Sequence, residues 1–237
     1  MNIALRLSPR LSPTARSLAA LALAAAAAAP ALAASALQPF QATYEATALG
    51  MQGTGQMNLT RQADGRWQYT LSVRNQVVNL QQSTTFDEKN GQLRPLASND
   101  VSALLIKRKA VQANYDWGKG QATWSGDVKP ERAGPVPLQP GDMDALLVNL
   151  AIVRDVAAGR PLNYRMVENG KARQMSYQVA GKETITVAGE QKTATKITRS
   201  DGNKQVTAWI VPGMPVPARI VQSDSDGEIQ LALTSVN

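Results

Sequence analysis

From residue 40 onward the chain is written mostly in period two. Phe40, Ala42, Tyr44, Ala46 and Ala48 alternate with Gln41, Thr43, Glu45 and Thr47. Trp67, Tyr69, Leu71 and Val73 alternate with Gln68, Thr70, Ser72 and Arg74. The pattern returns at Val111, Ala113, Tyr115 and Trp117, at Leu162, Tyr164 and Met166, and at Met175, Tyr177 and Val179. It closes with Val216, Ala218 and Ile220, then Ile229, Leu231 and Leu233. Such alternation predicts strands with one face buried and one in water, the habit of antiparallel sheets. Asp64-Gly65, Asn90-Gly91, Asn169-Gly170, Asp201-Gly202 and Asp226-Gly227 fall between these runs. They are the dipeptides that tolerate the positive φ of tight hairpin turns, so the predicted topology is up-and-down.

One stretch breaks the period. Pro130, Pro135, Pro137 and Pro140 make residues 129–141 an irregular crossing that cannot enter a sheet interior. Asp142 then offers a helix N-cap, with Asp144 in the first turn. Met143, Leu146, Leu147, Leu150 and Val153 recur at helical spacing, and Gly159 and Pro161 stop the run. The predicted helix, near 142–157, is apolar nearly all round and must be covered on most sides. The expected fold is mainly β: a curved antiparallel meander, a half-barrel or unclosed barrel, wrapped on one central apolar helix. Its two sheet segments, 38–128 and 161–236, flank the helix in a single domain, because neither has a second layer of its own.

The first residues add a compartment. Arg6, Arg10 and Arg16 precede the apolar run Leu18–Ala29, then Pro30 and Ala31-Leu32-Ala33. This order is that of a secretory signal peptide, residues 1–33, cut after Ala33 or at the second candidate, Ala36. The run is short of the roughly 20 apolar residues of a membrane span. The mature chain, 34–237, is expected to be exported to the periplasm as one antiparallel domain with no transmembrane anchor.

Three of the 25 basic residues and none of the 18 acidic ones lie in the signal, so the formal +7 falls to +4 on export. That balance reads as solubility. Lys107-Arg108-Lys109 is the one three-residue basic run, without the basic stripe and stacking aromatics of a nucleic-acid site. The chain has no cysteine and no histidine. Disulfides, thiol catalysis, thiolate metal sites, an acylated N-terminal cysteine and a Ser-His-Asp triad are thereby excluded. No nucleotide-binding or hydrolase motif appears, and no cofactor is implied.

Two acidic groups invite a functional reading. Asp224, Asp226 and Glu228 bracket Gly227, but their spacing departs from that of a calcium loop and suits a solvated hairpin turn. Asp142 with Asp144 has the makings of an acid/base pair for glycan hydrolysis, while helix capping accounts for both more simply. Arg154, Asp155 and Arg160 surround the helix end. The candidate ligand-lining set is Trp67, Tyr69, Leu71, Tyr115 and Trp117, with Leu146, Leu147 and Leu150 as a plug. The competing reading is that these simply fill a core.

The segment from Gly141-Asp142-Met143-Asp144 through the helix to Gly159-Arg160-Pro161 resembles the middle of an exported Gram-negative bacterial family known only as a domain of unknown function. The likeness continues through 181–189, Ala208-Trp209-Ile210 and Val216-Pro217-Ala218-Arg219-Ile220, and ends on the strand from Gly227 to Leu233. Members of that family look like the half-barrels of lipoprotein carriers and their receptor, in which a curved sheet holds acyl chains. The resemblance implies no catalytic residues. It implies a non-enzymatic periplasmic protein binding a lipid, an acyl chain or an apolar segment of an envelope protein. The alternatives are an envelope assembly factor acting by protein contacts and a carboxylate-based glycan hydrolase.

Overall fold

The alternating runs become strands whose inward positions are buried and whose outward ones meet solvent. In β1 (Phe40–Ala48) all five inward residues are buried, while Gln41 and Glu45 are exposed. The computed structural model describes residues 37–104, 107–225 and 227–237, so the expected signal peptide lies outside the described residues. The strands following β1 are β2 (Met51–Arg61), β3 (Trp67–Arg74), β4 (Val78–Lys89), β5 (Gln92–Leu104), β6 (Lys107–Asp116), β7 (Gln121–Gly126) and β8 (Val136–Pro137). After the helix α1 (Ala145–Ala157) come β9 (Asn163–Glu168) and β10 (Lys171–Ser176). The chain ends with β11 (Gln178–Val187), β12 (Glu190–Asp201), β13 (Lys204–Ile210), β14 (Arg219–Asp224) and β15 (Gly227–Val236).

Among the described residues, thirteen strands form one antiparallel sheet in the order β11-β12-β13-β14-β15-β1-β2-β3-β4-β5-β6-β7-β8. The order is linear, so the sheet is an unclosed barrel, as the alternation and the turns led us to expect. The two expected segments are joined by β1 and β15, which pair from Ala42↔Val236 to Ala48↔Ile229. A sequence meander cannot announce that closure, because the two strands come from opposite ends of the chain. The proline crossing contributes only the two-residue edge β8.

Two expectations need correction. The run Met175, Tyr177, Val179 is not one strand: β10 ends at Ser176, and Val179 in β11 is 62% exposed. β9 and β10 instead form their own two-stranded sheet beside the helix. Met143 anchors them, donating to Arg165 O (3.2 Å) and accepting from Val167 N (2.8 Å). Gly170 at the hairpin tip has φ +68°, and a Cβ there would sit 2.3 Å from Arg132 O. Only glycine lets the hairpin dock against the crossing so closely.

The second correction is the cap. Asp144, not Asp142, is the N-cap of α1, accepting from Leu147 N at 2.8 Å. Asp142 belongs to the preceding turn, where it accepts from Gln139 N (2.7 Å) and pairs with Arg165. With Asp144 as cap, Leu147 is the third helical residue, the N–H that a capping carboxylate reaches. At the other end Gly159, φ +62°, follows the last turn. Leu146, Leu147, Val148, Leu150, Ala151, Ile152 and Val153 are all buried, as a helix apolar on most sides requires. No helix among the described residues is long and apolar enough to cross a membrane.

Candidate functional site

Packing the helix and the β9–β10 hairpin into the sheet leaves a chamber of about 400 Å³. Close-packed interiors leave few voids larger than a water molecule, and ligand pockets begin at about 300 Å³, so this space is of ligand size. β2 and β3 contribute Met57, Leu71 and Val73, and β4 contributes Leu80 and Gln82. β14 and β15 supply Ile220, Gln222, Ile229 and Leu231 on the other side. The inner layer closes it with Ala145, Val148 and Asn149 of α1, then Met166, Glu168, Met175 and Tyr177. Arg199, Lys204 and Val206 complete the wall from β12 and β13. Met57, Met166 and Met175 are three of seven methionines in the chain. Their unbranched, polarisable side chains reshape around an occupant more readily than branched ones.

Of the eight residues the sequence offered as ligand lining, only Leu71 faces this chamber. Trp67 and Tyr69 are buried in the main core, where Tyr69 meets Phe40 edge-on at 6.0 Å and donates to Met57 Sδ at 3.3 Å. Tyr115 belongs to a second, smaller cluster with Val111, Ala113, Ala122, Trp124 and Val167. Its hydroxyl donates to Val167 O at 3.1 Å. Trp117 lies past the end of β6, packs on that cluster, and donates its indole N–H to Pro95 O at 2.7 Å. Leu147 and Leu150 are buried in the main core, and Leu146 borders a minor pocket of about 10 Å³. That volume holds about one water.

The minor pocket adjoins the chamber through Gln82, Ala145 and Glu168, and collects the carboxylates of Asp100, Asp144 and Glu168. Burial, with Asp100 and Asp144 as like-charged neighbours, pushes the Glu168 carboxyl up to about 7, against the opposing pull of Lys204 and Arg173. Burial lifts Asp144 to about 6, although Thr84 Oγ1 (2.5 Å) and Leu147 N donate to it. Asp100 is also raised by burial. In all three the cause is the same: burial favours the neutral, protonated carboxyl.

The other candidate groups serve the fold. Asp142 is buried with its Oδ1 unpartnered and Oδ2 held by Arg165 and Gln139 N. Asp155 accepts from Tyr164 Oη at 3.1 Å and bridges to Arg154 (3.4 Å) and Arg160 (3.5 Å), which pins the helix end to β9. Among the described residues no cluster of three or more acidic, histidine or cysteine side chains could hold a metal ion.

Sequence reasoning missed Arg199, Glu168 and Gln222, yet each carried a signal. Arg199 shares the buried phase of β12 with Ile197, and Glu168 shares that of β9 with Tyr164 and Met166. Gln222 likewise falls in phase with Ile220. A polar side chain on the inward phase of a strand is the mark of a space that is not packed solid.

The fold and the chamber together define an unclosed antiparallel half-barrel with a hollow, mostly apolar interior. The chain belongs to the family described as "Protein of unknown function (DUF3108)", which matches residues 40–234 and agrees with the expected class of relative. No curated protein matches it in sequence. Among solved structures it is similar to a β-barrel-like protein of domain of unknown function DUF1849 from Brucella abortus. That pair has 12% identity and a TM-score of 0.54, over 85% of this chain and 98% of that one, so they share a fold. It also aligns with MucB at 11% identity and a TM-score of 0.36, over 86% of this chain and 54% of MucB. The MucA/MucB complex of Pseudomonas aeruginosa gives 11% identity and a TM-score of 0.36, over 84% of this chain and 51% of that one.

Proposed function

We propose that this is a non-enzymatic periplasmic protein that holds an apolar ligand, a lipid's acyl chain or an apolar segment of an envelope protein, in the chamber between sheet and helix. The observation that carries this reading is the chamber itself: about 400 Å³ lined mostly by aliphatic and thioether side chains from β2–β4, β12–β15, the helix and the β9–β10 hairpin. The export signal read from residues 1–33 supplies the compartment, where acyl chains and unassembled envelope proteins are both present. The carboxylates Asp142 and Asp144 are occupied by Arg165 and the helix N-terminus, which supports a binding role over hydrolysis.

Native mass spectrometry of the protein isolated from its own cell envelope tests the reading. A stoichiometric adduct of lipid or peptide mass, lost when Val148→Phe fills the chamber, is the expected result. Protein that is folded and free of any adduct, and that takes up none from added envelope lipid extract or envelope peptides, would overturn it.

A further inference from the structure

Sheet register sets three of the chamber's polar residues, Arg199, Gln222 and Lys204, at one end. Arg199 pairs with Val206, Val206 with Gln222, and Gln222 with Ile229, making one row across β12 to β15. The next row inward is Ile197, Ala208, Ile220 and Leu231, all apolar. One step outward from Arg199 the β12–β13 hairpin carries Lys204, which is exposed and sits where the chamber meets solvent. The wall built by β12 to β15 is therefore apolar inside with a cationic mouth.

Arg199 is 93% buried at its side chain, at 7% relative exposure, which is unusual for arginine. It makes one ion pair, from Nη2 to Asp201 Oδ2 at 2.6 Å, and the Asp201 side chain is 56% exposed. A guanidinium has five N–H donors, more than this one ion pair engages. The partner carboxylate lies on the solvent side, where an ion pair exchanges readily.

Resting on the binding function proposed above, we infer that the occupant is a single-chain amphiphile with an anionic headgroup. Its chain runs along Met57, Ile220 and Leu231, and its carboxylate or phosphate is held at the mouth by Arg199 and Lys204. The volume fits one chain: about 400 Å³ stands near the lower bound of small-ligand pockets, too little for a lipid with several chains. The planar guanidinium fork matches carboxylate or phosphate oxygens two at a time. The acidic wall offers no rival headgroup site. The minor pocket behind it has about 10 Å³, and Asp144 there is already committed to Thr84 and the helix. Glu168 is the one carboxylate lining the chamber, with Asp100, Asp144, Tyr115, Lys204 and Arg173 acting on it or its neighbours.

Displacement of a fluorescent acyl probe from the mature chain, using laurate, lauryl phosphate and lauryl alcohol as competitors, tests this. Both anions should compete about tenfold better than the alcohol. Lys204→Gln and Arg199→Gln, each shown folded by circular dichroism, should each shrink that preference at least threefold. A preference for laurate over lauryl phosphate, or the reverse, identifies which anionic group the mouth suits. An alcohol that competes as well as both anions, or a preference untouched by either substitution, overturns the headgroup assignment while the apolar chamber stands. Failure of any amphiphile, including the probe, to bind would remove the function beneath it as well.

Discussion

One sheet backs two hydrophobic regions, and they are built from the same alternation with opposite outcomes. Against β6 and β7 the region is solid. Tyr115 and Trp124 meet edge-on at 6.2 Å, and the Tyr115 hydroxyl is fixed on Val167 O. Against β12–β15 and β2–β4 a packed core also forms, but it leaves the chamber, walled by methionines, aliphatics and inward-pointing Arg199, Glu168 and Gln222. Aromatic rings with a polar handle fill volume and lock their own orientation. Methionine and long polar side chains do neither, so a space bounded by them stays adaptable. The difference lies in side-chain choice on a common backbone plan.

The comparison can be broken most forcefully from its solid side. Trp124→Ala should destabilise the protein by about 3–5 kcal/mol and leave acyl-probe affinity within about twofold. Chemical denaturation alongside probe titration checks it, and a loss of affinity parallel to the loss of stability would mean the two regions are one.

A smaller effect is expected at the helix start that both regions share. Asp144→Ala removes the N-cap and the partner of Thr84, costing about 1–2 kcal/mol. Asp144→Asn keeps an acceptor for Leu147 N without a buried charge, so its urea midpoint at about pH 8 should match or exceed that of the wild type. An alanine variant as stable as the parent would contradict the assigned cap.

Filling the chamber sharpens the contrast further. Val148 borders the chamber but is buried against the core, so Val148→Phe should cost about 1–3 kcal/mol as an insertion beside packed side chains. Probe binding should fall at least tenfold. Strong destabilisation without loss of binding would place the ligand elsewhere.

Stability should also depend on pH. Glu168 rises from 4.5 to about 7 and Asp144 from 3.8 to about 6 on folding, so the folded chain binds these protons more tightly than the unfolded one. Stability contributed by these groups therefore increases as pH falls through about 7 toward about 5, the reverse of the trend for paired carboxylates. Urea midpoints should be higher at about pH 5.5 than at about pH 8, and Glu168→Gln should flatten the difference. A midpoint that falls on acidification over that interval would contradict the desolvated acidic wall.

Much of this architecture was legible in the residues. The period-two runs located β1, β3 and β6, the Asx-Gly pairs marked the turns β2–β3, β4–β5, β9–β10 and β12–β13, and the apolar stretch after the prolines gave the helix. The helix start was misplaced by two residues because Asp142 and Asp144 are equally good caps, and only the docking of Met143 on β9 decides between them. The cleavage of Met175 from Val179 between two sheets was hidden because alternation records the phase of a strand and not its partner. The site was legible only in part for the same reason. Period two separates inward from outward along a strand, so Trp67, Tyr69 and Tyr115 were rightly read as inward, while helical spacing marked Leu147 and Leu150. Whether an inward side chain meets a neighbour or a space depends on curvature and on which layer lies opposite, and neither is written along one strand. Arg199 and Glu168 could have been found, since charge on a buried phase needs a reason.

The central claim is that the hollow region is ligand space. Titration of the folded mature chain with an acyl-chain fluorescent probe tests it most directly. The account predicts saturable one-site binding, displaced by unlabelled laurate and reduced at least tenfold by Val148→Phe. Absence of saturable binding in wild-type protein whose near-ultraviolet circular dichroism shows ordered aromatic packing would contradict it.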